Sequence, residues 1–213
     1  MDKLDGFNLV APVYDALGRI VFGNALAESQ TCFTHLVNAG ARVLVVGGGT
    51  GKAVKALMSA NANCEVRYVE AASAMINRAR LNLKPFQERV TFIHGTHESI
   101  PPDELYDVVI TYFFLDLFPE ERCRQVAVKL AASLKDDGIW LAADFTSGIR
   151  PLHRFLLRTM YAFFRVASGI EARRLPQWEN AIVRAGLRME RHADFYNGFI
   201  RSAVFRKESG RHH

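Results

Sequence analysis

The sequence predicts an α/β fold: a seven-stranded, mostly parallel sheet with helices on both faces and an antiparallel C-terminal hairpin. Three observations predict it. From residue 41 onwards, short β-rich runs alternate with helix-patterned stretches, which calls for right-handed crossovers and parallel pairing. A run of glycines follows the first strand and opens a helix. The last two β-like runs are joined by Asp194 to Asn197 alone, too short for a crossover, so they pair antiparallel.

The elements follow in order. Arg19 to Ala39 reads as a helical segment, and Ala41-Arg-Val-Leu-Val-Val46 as the first strand. Lys52 to Ala60 is a helix and Glu65 to Val69 the second strand. Ala72 to Leu83 places Met75, Ile76 and Ala79 on one helical face. Arg89 to Ile93 and Tyr106 to Thr111 are the third and fourth strands. Pro119, followed by Glu120 and Glu121, opens a helix, since proline suits the first turn and acids there favour the dipole. Asp137-Gly138 is expected to turn the chain into a fifth strand, Ile139 to Ala143. Leu187 to Ala193 and Gly198 to Phe205 form the hairpin.

At 213 residues and 49% hydrophobic content, one domain over residues 1–213 is expected. Within it, 1–40 form an N-terminal helical cap and 145–178 a helical insertion. The longest apolar run, Val108 to Leu117, is broken by Thr111 and Asp116 and falls far below the roughly 20 residues that span a bilayer. Met1-Asp2-Lys3-Leu4-Asp5 lacks the basic-then-apolar order of a secretory leader. Cys32, Cys64 and Cys123 are scattered and form no CxxC pair, so neither a metal site nor a disulfide framework is expected, and a reducing cytoplasm is. The net charge of +5 is spread rather than striped, which argues against a nucleic-acid partner.

Gly47-Gly48-Gly49-Thr50-Gly51-Lys52 is the most informative stretch. Glycines between a buried strand and a helix let backbone N–H groups approach a ligand, and the helix start adds a positive field. The dinucleotide fingerprint needs glycine where Lys52 stands. The phosphate P-loop needs glycine at Val46 and Ser or Thr at Ala53. Neither fits; GxGxG, on Gly47, Gly49 and Gly51, does. Glu70 ends the second strand nineteen residues past Gly51, where a carboxylate can accept both hydrogen bonds of a ribose diol. A tight turn with a solvated glutamate is the bland alternative.

With these residues the sequence resembles the class I methyltransferases, especially the ubiquinone/menaquinone C-methyltransferase-like branch. The resemblance runs from about Phe7 to Phe205. Phe7-Asn-Leu-Val-Ala-Pro-Val-Tyr14-Asp15 is similar to the branch's N-terminal segment, Gly47 to Gly51 to its first motif, and Glu70 to its ribose-binding acid. Ser73 to Arg80 resembles the helix whose Met packs on adenine, and Tyr106 to Leu115 the fourth strand and the turn after it. The resemblance implies a Rossmann-like fold, S-adenosyl-L-methionine as cofactor and no metal. It implies cofactor contacts from Tyr14, Gly47, Gly48, Gly49, Thr50, Gly51, Glu70, Ala71, Met75, Thr96, His97, Tyr112 and Phe113. One departure stands out: the family's Gly-Asp-Ala after the third strand reads Gly95-Thr96-His97 here, which removes the charge expected opposite the adenine amine.

Methyl transfer to oxygen or carbon needs a proton removed, and Asp116 is the first candidate base, ahead of His97, Asp144 and His153. Val21, Phe22, Leu26, Phe33 and Leu36, with Leu152, Phe155, Leu156, Met160, Tyr161, Phe163 and Phe164, either line an acceptor pocket or pack helices onto the sheet. The pocket reading favours a small aromatic, quinone-like or lipid-like acceptor, with Arg150, Arg154, Arg158 and Arg165 able to meet an acidic group. Two rivals stay open. A nucleic-acid methyltransferase would carry Asn-Pro-Pro-aromatic where Thr111-Tyr112-Phe113-Phe114 stands. A cofactor-binding module without catalysis, acting through a partner, needs no base at all.

Overall fold

The computed structural model describes residues 22–60, 63–147 and 174–207. Tyr14, Asp15, Val21 and the rest of 1–21 lie outside them, as do His153 and the apolar and arginine residues named between 150 and 165.

Seven strands form one sheet: β1 (Arg42–Val46), β2 (Glu65–Glu70), β3 (Val90–His94), β4 (Tyr106–Tyr112), β5 (Leu134–Phe145), β6 (Leu187–Phe195) and β7 (Ile200–Lys207). Their order is β3-β2-β1-β4-β5-β7-β6. β1 pairs parallel with both β2 and β4, so Val45 faces Tyr68 on one side and Ile110 on the other. β7 pairs antiparallel with β5 and β6, as the short connection requires. Tyr196, Asn197 and Gly198 make that turn with φ of 49°, 55° and 78°.

Strand alternation splits the core in two. Val43 and Val45 face α2 (Lys52–Ala60) and α3 (Ser73–Asn82) through Val54, Leu57 and Ala79. Leu44 and Val46 face α4 (Glu120–Ala132) and α5 (Trp178–Arg184) through Val126, Leu130 and Ile182. Both faces of the sheet are therefore covered, which is why β1 and β4 are near-continuous apolar runs.

Three elements differ from the sequence reading. The described part of the first helix is α1 (Ala25–Thr31), followed by a 3-10 turn at Thr34–Leu36 rather than more α-helix. Thr31 and Thr34 turn their hydroxyls back onto the carbonyls of Ala27 and Thr31, at 2.9 and 2.8 Å, and such local bonds compete with helix continuation. Arg89 closes a 3-10 turn, Lys84–Arg89, so β3 begins one residue later. Asp137-Gly138 is not a turn into β5 but part of a bulge within it. Leu134 pairs with Tyr106 and the next pair is Ile139 with Val108. A Cβ on Gly138 would lie 2.9 Å from the Asp107 carbonyl oxygen, so the bulge sits hard against β4. Among the described residues no helix is long and apolar enough to cross a membrane.

Candidate functional site

The strand order reverses between β1 and β4. Connections leave these neighbours toward opposite faces, which opens a crevice at their C-terminal ends. The glycine loop follows β1 there, and Phe113-Phe114 follows β4.

The loop is held from β2 and α3. Gly47 N–H donates to the Val69 carbonyl at 2.9 Å. Glu70 Oε2 accepts the Gly49 N–H at 2.8 Å, and its Oε1 accepts the Ala72 N–H at 2.8 Å. The Tyr68 hydroxyl donates to the Gly49 carbonyl at 2.9 Å, and Asn82 Nδ2 to the Thr50 carbonyl at 2.9 Å. A Cβ on Gly48 would come within 2.3 Å of the Tyr68 ring, whereas one on Gly49 would meet nothing within 4 Å. One glycine admits the tyrosine beneath the loop. The other, at φ +61°, faces open space.

Glu70 is buried, and burial pushes its carboxyl up while the Ala72 and Gly49 amides pull it back down. Each carboxylate oxygen keeps a second lone pair beyond its amide bond, so two acceptor positions remain. Met75 and Ala72 form a small apolar cluster apart from the two main cores. Ala71 offers its carbonyl to His94 Nε2 at 3.0 Å.

Across the crevice, Phe113 holds φ +52° and donates its N–H to the Ala143 carbonyl at 2.7 Å. Its ring lies 5.1 Å from Phe145, which reaches Phe22 at 5.6 Å and Phe199 at 5.2 Å. Leu26, Tyr196 and Leu175 border this aromatic cluster. Phe33 and Leu36 pack instead on the other core, beside Tyr112. Tyr112 ends β4 half-buried, and burial pushes its phenol up.

Asp116 and Asp144 lie together in the interior. Asp144 Oδ2 accepts the N–H groups of Leu115 and Asp116, both at 3.1 Å, and its Oδ1 accepts that of Phe145 at 2.9 Å. Burial pushes the Asp116 carboxyl up to about 7. Burial and the Asp116 charge push Asp144 up as well, and three amides oppose that rise. The two buried carboxyls therefore share a retained proton as a pair. Thr96 uses its hydroxyl to cap a 3-10 turn, accepting the Glu98 N–H at 3.2 Å. His97 is buried edge-on against Phe118, 5.5 Å between centroids, and burial followed by Arg122 holds it below the ordinary imidazole value. The geometry thus brings together the glycine loop and Glu70, sets Phe113 in the aromatic cluster with Phe145, and sets His97 among α4-side residues.

Tyr68 and Asn82 were not singled out in the sequence, whereas Asp144 has the strand-end capping role that was the alternative to its being a base. Tyr68 carried a usable signal: it stands two residues before Glu70 in a strand, hence on the same face. Asn82 acts across thirty-two residues of chain and carried none.

Residues 43–138 match the model of a methyltransferase domain. With the seven-stranded sheet, this match supports a methyltransferase of the class I, S-adenosylmethionine-dependent kind. A curated relative is the ubiquinone/menaquinone biosynthesis C-methyltransferase of Syntrophotalea carbinolica, 28% identical over 214 residues, covering 91% of this chain and 89% of the relative. Among solved structures, the O-methyltransferase family 2 protein of Planctomyces limnophilus in complex with apigenin superposes with a TM-score of 0.73 at 16% identity, over 98% of this chain and 62% of that one. The mitomycin 7-O-methyltransferase gives 0.70 at 19%, over 96% and 60%. This chain therefore spans about six tenths of those two enzymes, and the likeness to them is one of fold.

Proposed function

We propose that this methyltransferase binds S-adenosyl-L-methionine across the glycine loop and transfers its methyl group to a small aromatic, quinone-like or lipid-like acceptor in the cytoplasm. The observation that carries the cofactor reading is Glu70, buried at the end of β2 with one amide on each oxygen and a lone pair to spare on each. A ribose diol fits those positions. Gly47, Gly48, Thr50 and Gly51 would border the aminoacyl part, and Ala71 and Met75 the adenine, with Thr96 and His97 beyond them. The bound cofactor supplies an electrophilic methyl on a sulfonium, so the protein chiefly aligns donor and acceptor and excludes water.

The aromatic cluster of Phe22, Phe113, Phe145 and Phe199, at the ends of β4 and β5, supports an apolar acceptor. Tyr112 would line the same end of β4, and Tyr14 of the N-terminal cap the cofactor. The names of the relatives agree in kind, since they include a quinone-pathway enzyme and a complex with apigenin. Asp116, with its carboxyl near 7, is poised to take a proton from an acceptor at neutral pH, and Asp144 would hold it in place.

Calorimetric titration with S-adenosylhomocysteine tests the site. Glu70→Ala is expected to weaken binding by roughly 1–3 kcal/mol, the scale of lost hydrogen bonds to a charged acceptor. Unchanged affinity in a folded variant would remove Glu70 from the site.

A further inference from the structure

We propose that Tyr68 is a positioning residue for the cofactor, a buried latch that fixes the direction of the Gly49–Thr50 peptide. The inference rests on the cofactor reading above. Tyr68 and Glu70 project from one face of β2 and grip the same loop residue from two sides: the hydroxyl of one holds the Gly49 carbonyl, the carboxylate of the other its N–H. In a planar trans peptide, a carbonyl and the next N–H point to opposite sides. Tying the Gly49 carbonyl down to the sheet therefore turns the Thr50 N–H away from it, toward the side on which Gly49 faces open space. None of the described hydrogen bonds uses that N–H.

The tyrosine can do this only because the sequence clears its path. The ring fills the place a side chain at Gly48 would need, and it packs on Phe92 at 5.3 Å between centroids. Tyr68 is fully buried, so the hydroxyl has no water to compete for the carbonyl. A phenylalanine would fill the same space equally well. The hydroxyl's role is thus separable from the ring's, and only the hydroxyl sets the loop's donor toward a ligand.

The test is Tyr68→Phe, titrated calorimetrically with S-adenosylhomocysteine and followed by amide hydrogen exchange without ligand. Affinity is expected to fall about 3- to 10-fold, the effect of one hydrogen bond. Exchange should quicken at residues 48–51 while β1 and β2 keep their protection, a pattern that loss of core packing alone would not give. Affinity within twofold of wild type overturns the proposal, and so does exchange that quickens throughout both strands. If the wild-type protein itself binds no S-adenosylhomocysteine, the cofactor reading fails and the latch with it. Wild-type binding together with an unaffected Tyr68→Phe overturns the latch alone.

Discussion

Asp144 binds the backbone of Asp116 and also faces its side chain: its Oδ2 accepts the Asp116 N–H at 3.1 Å, and the two carboxyls share one buried site. Burial raises the Asp116 carboxyl to about 7 from an ordinary 3.8, against the downward pull of its hydrogen bond with Asp144. The folded protein then binds more protons than the unfolded one, so stability falls as pH rises from about 4 to about 7 and stays lower above that. Asp116→Asn keeps the shape and a donor toward Asp144 without the proton to lose. The variant should match wild type near pH 4 and exceed it at pH 8 by about 1–4 kcal/mol in urea unfolding. Parallel stability curves for the two proteins would show that the pair retains no proton. The same variant should lose methyl transfer if Asp116 is the base, a stabilisation bought with function.

Asp144→Ala has the opposite sign. It strips the acceptor from three buried amides and leaves Asp116 facing a void. Breaking such a buried arrangement from one side costs roughly 3–5 kcal/mol, far more than a surface carboxylate is worth. Chemical denaturation should show that loss at every pH from 5 to 8. A cost below about 1 kcal/mol would mean that water replaces the carboxylate.

What the sequence could show was decided by range. The strands of β1, β2 and β4 and the helices after them are set by local periodicity, and the structure places them within a residue or so of the expected limits. The hairpin followed from the shortness of the connection between its two strands. The bulge in β5 did not, because Asp136-Asp137-Gly138 carries the composition of a turn and only the flanking pairs, Leu134 with Tyr106 and Ile139 with Val108, keep it in the sheet. The glycine loop and Glu70 were legible because spacing along the chain reports them. The contacts that hold the loop were not: Asn82 arrives from the far end of α3, thirty-two residues from Thr50.

Trp140→Phe separates stability from the site. Trp140 is fully buried in the centre of β5 and donates its Nε1–H to Thr111 Oγ1 at 2.8 Å. Both partners are sealed from water, so removing the indole N–H leaves the hydroxyl without its donor and opens a small cavity. A loss of about 1–3 kcal/mol is expected in unfolding experiments. Affinity for S-adenosylhomocysteine should stay within twofold, because neither residue borders the loop. A larger drop in affinity would extend the site into the α4 side of the sheet.

Gly47 and Gly49 share a positive φ, at 68° and 61°, yet alanine should affect them differently. At Gly49 the new Cβ meets nothing within 4 Å, so the cost is conformational, roughly 1–2 kcal/mol. At Gly47 the Cβ comes 2.3 Å from Phe114 Cδ2 and 3.2 Å from its Cβ, and Phe114 is buried and cannot swing to solvent. Overpacking adds roughly 1–3 kcal/mol to the conformational cost. Gly47→Ala should therefore be the less stable of the two, and it should push the loop and the turn after β4 apart. Phe114→Leu in the Gly47→Ala background should recover the overpacking part but not the conformational part. Unfolding of both single variants and the double variant measures that coupling, and strict additivity would place the Phe114 ring outside the contact.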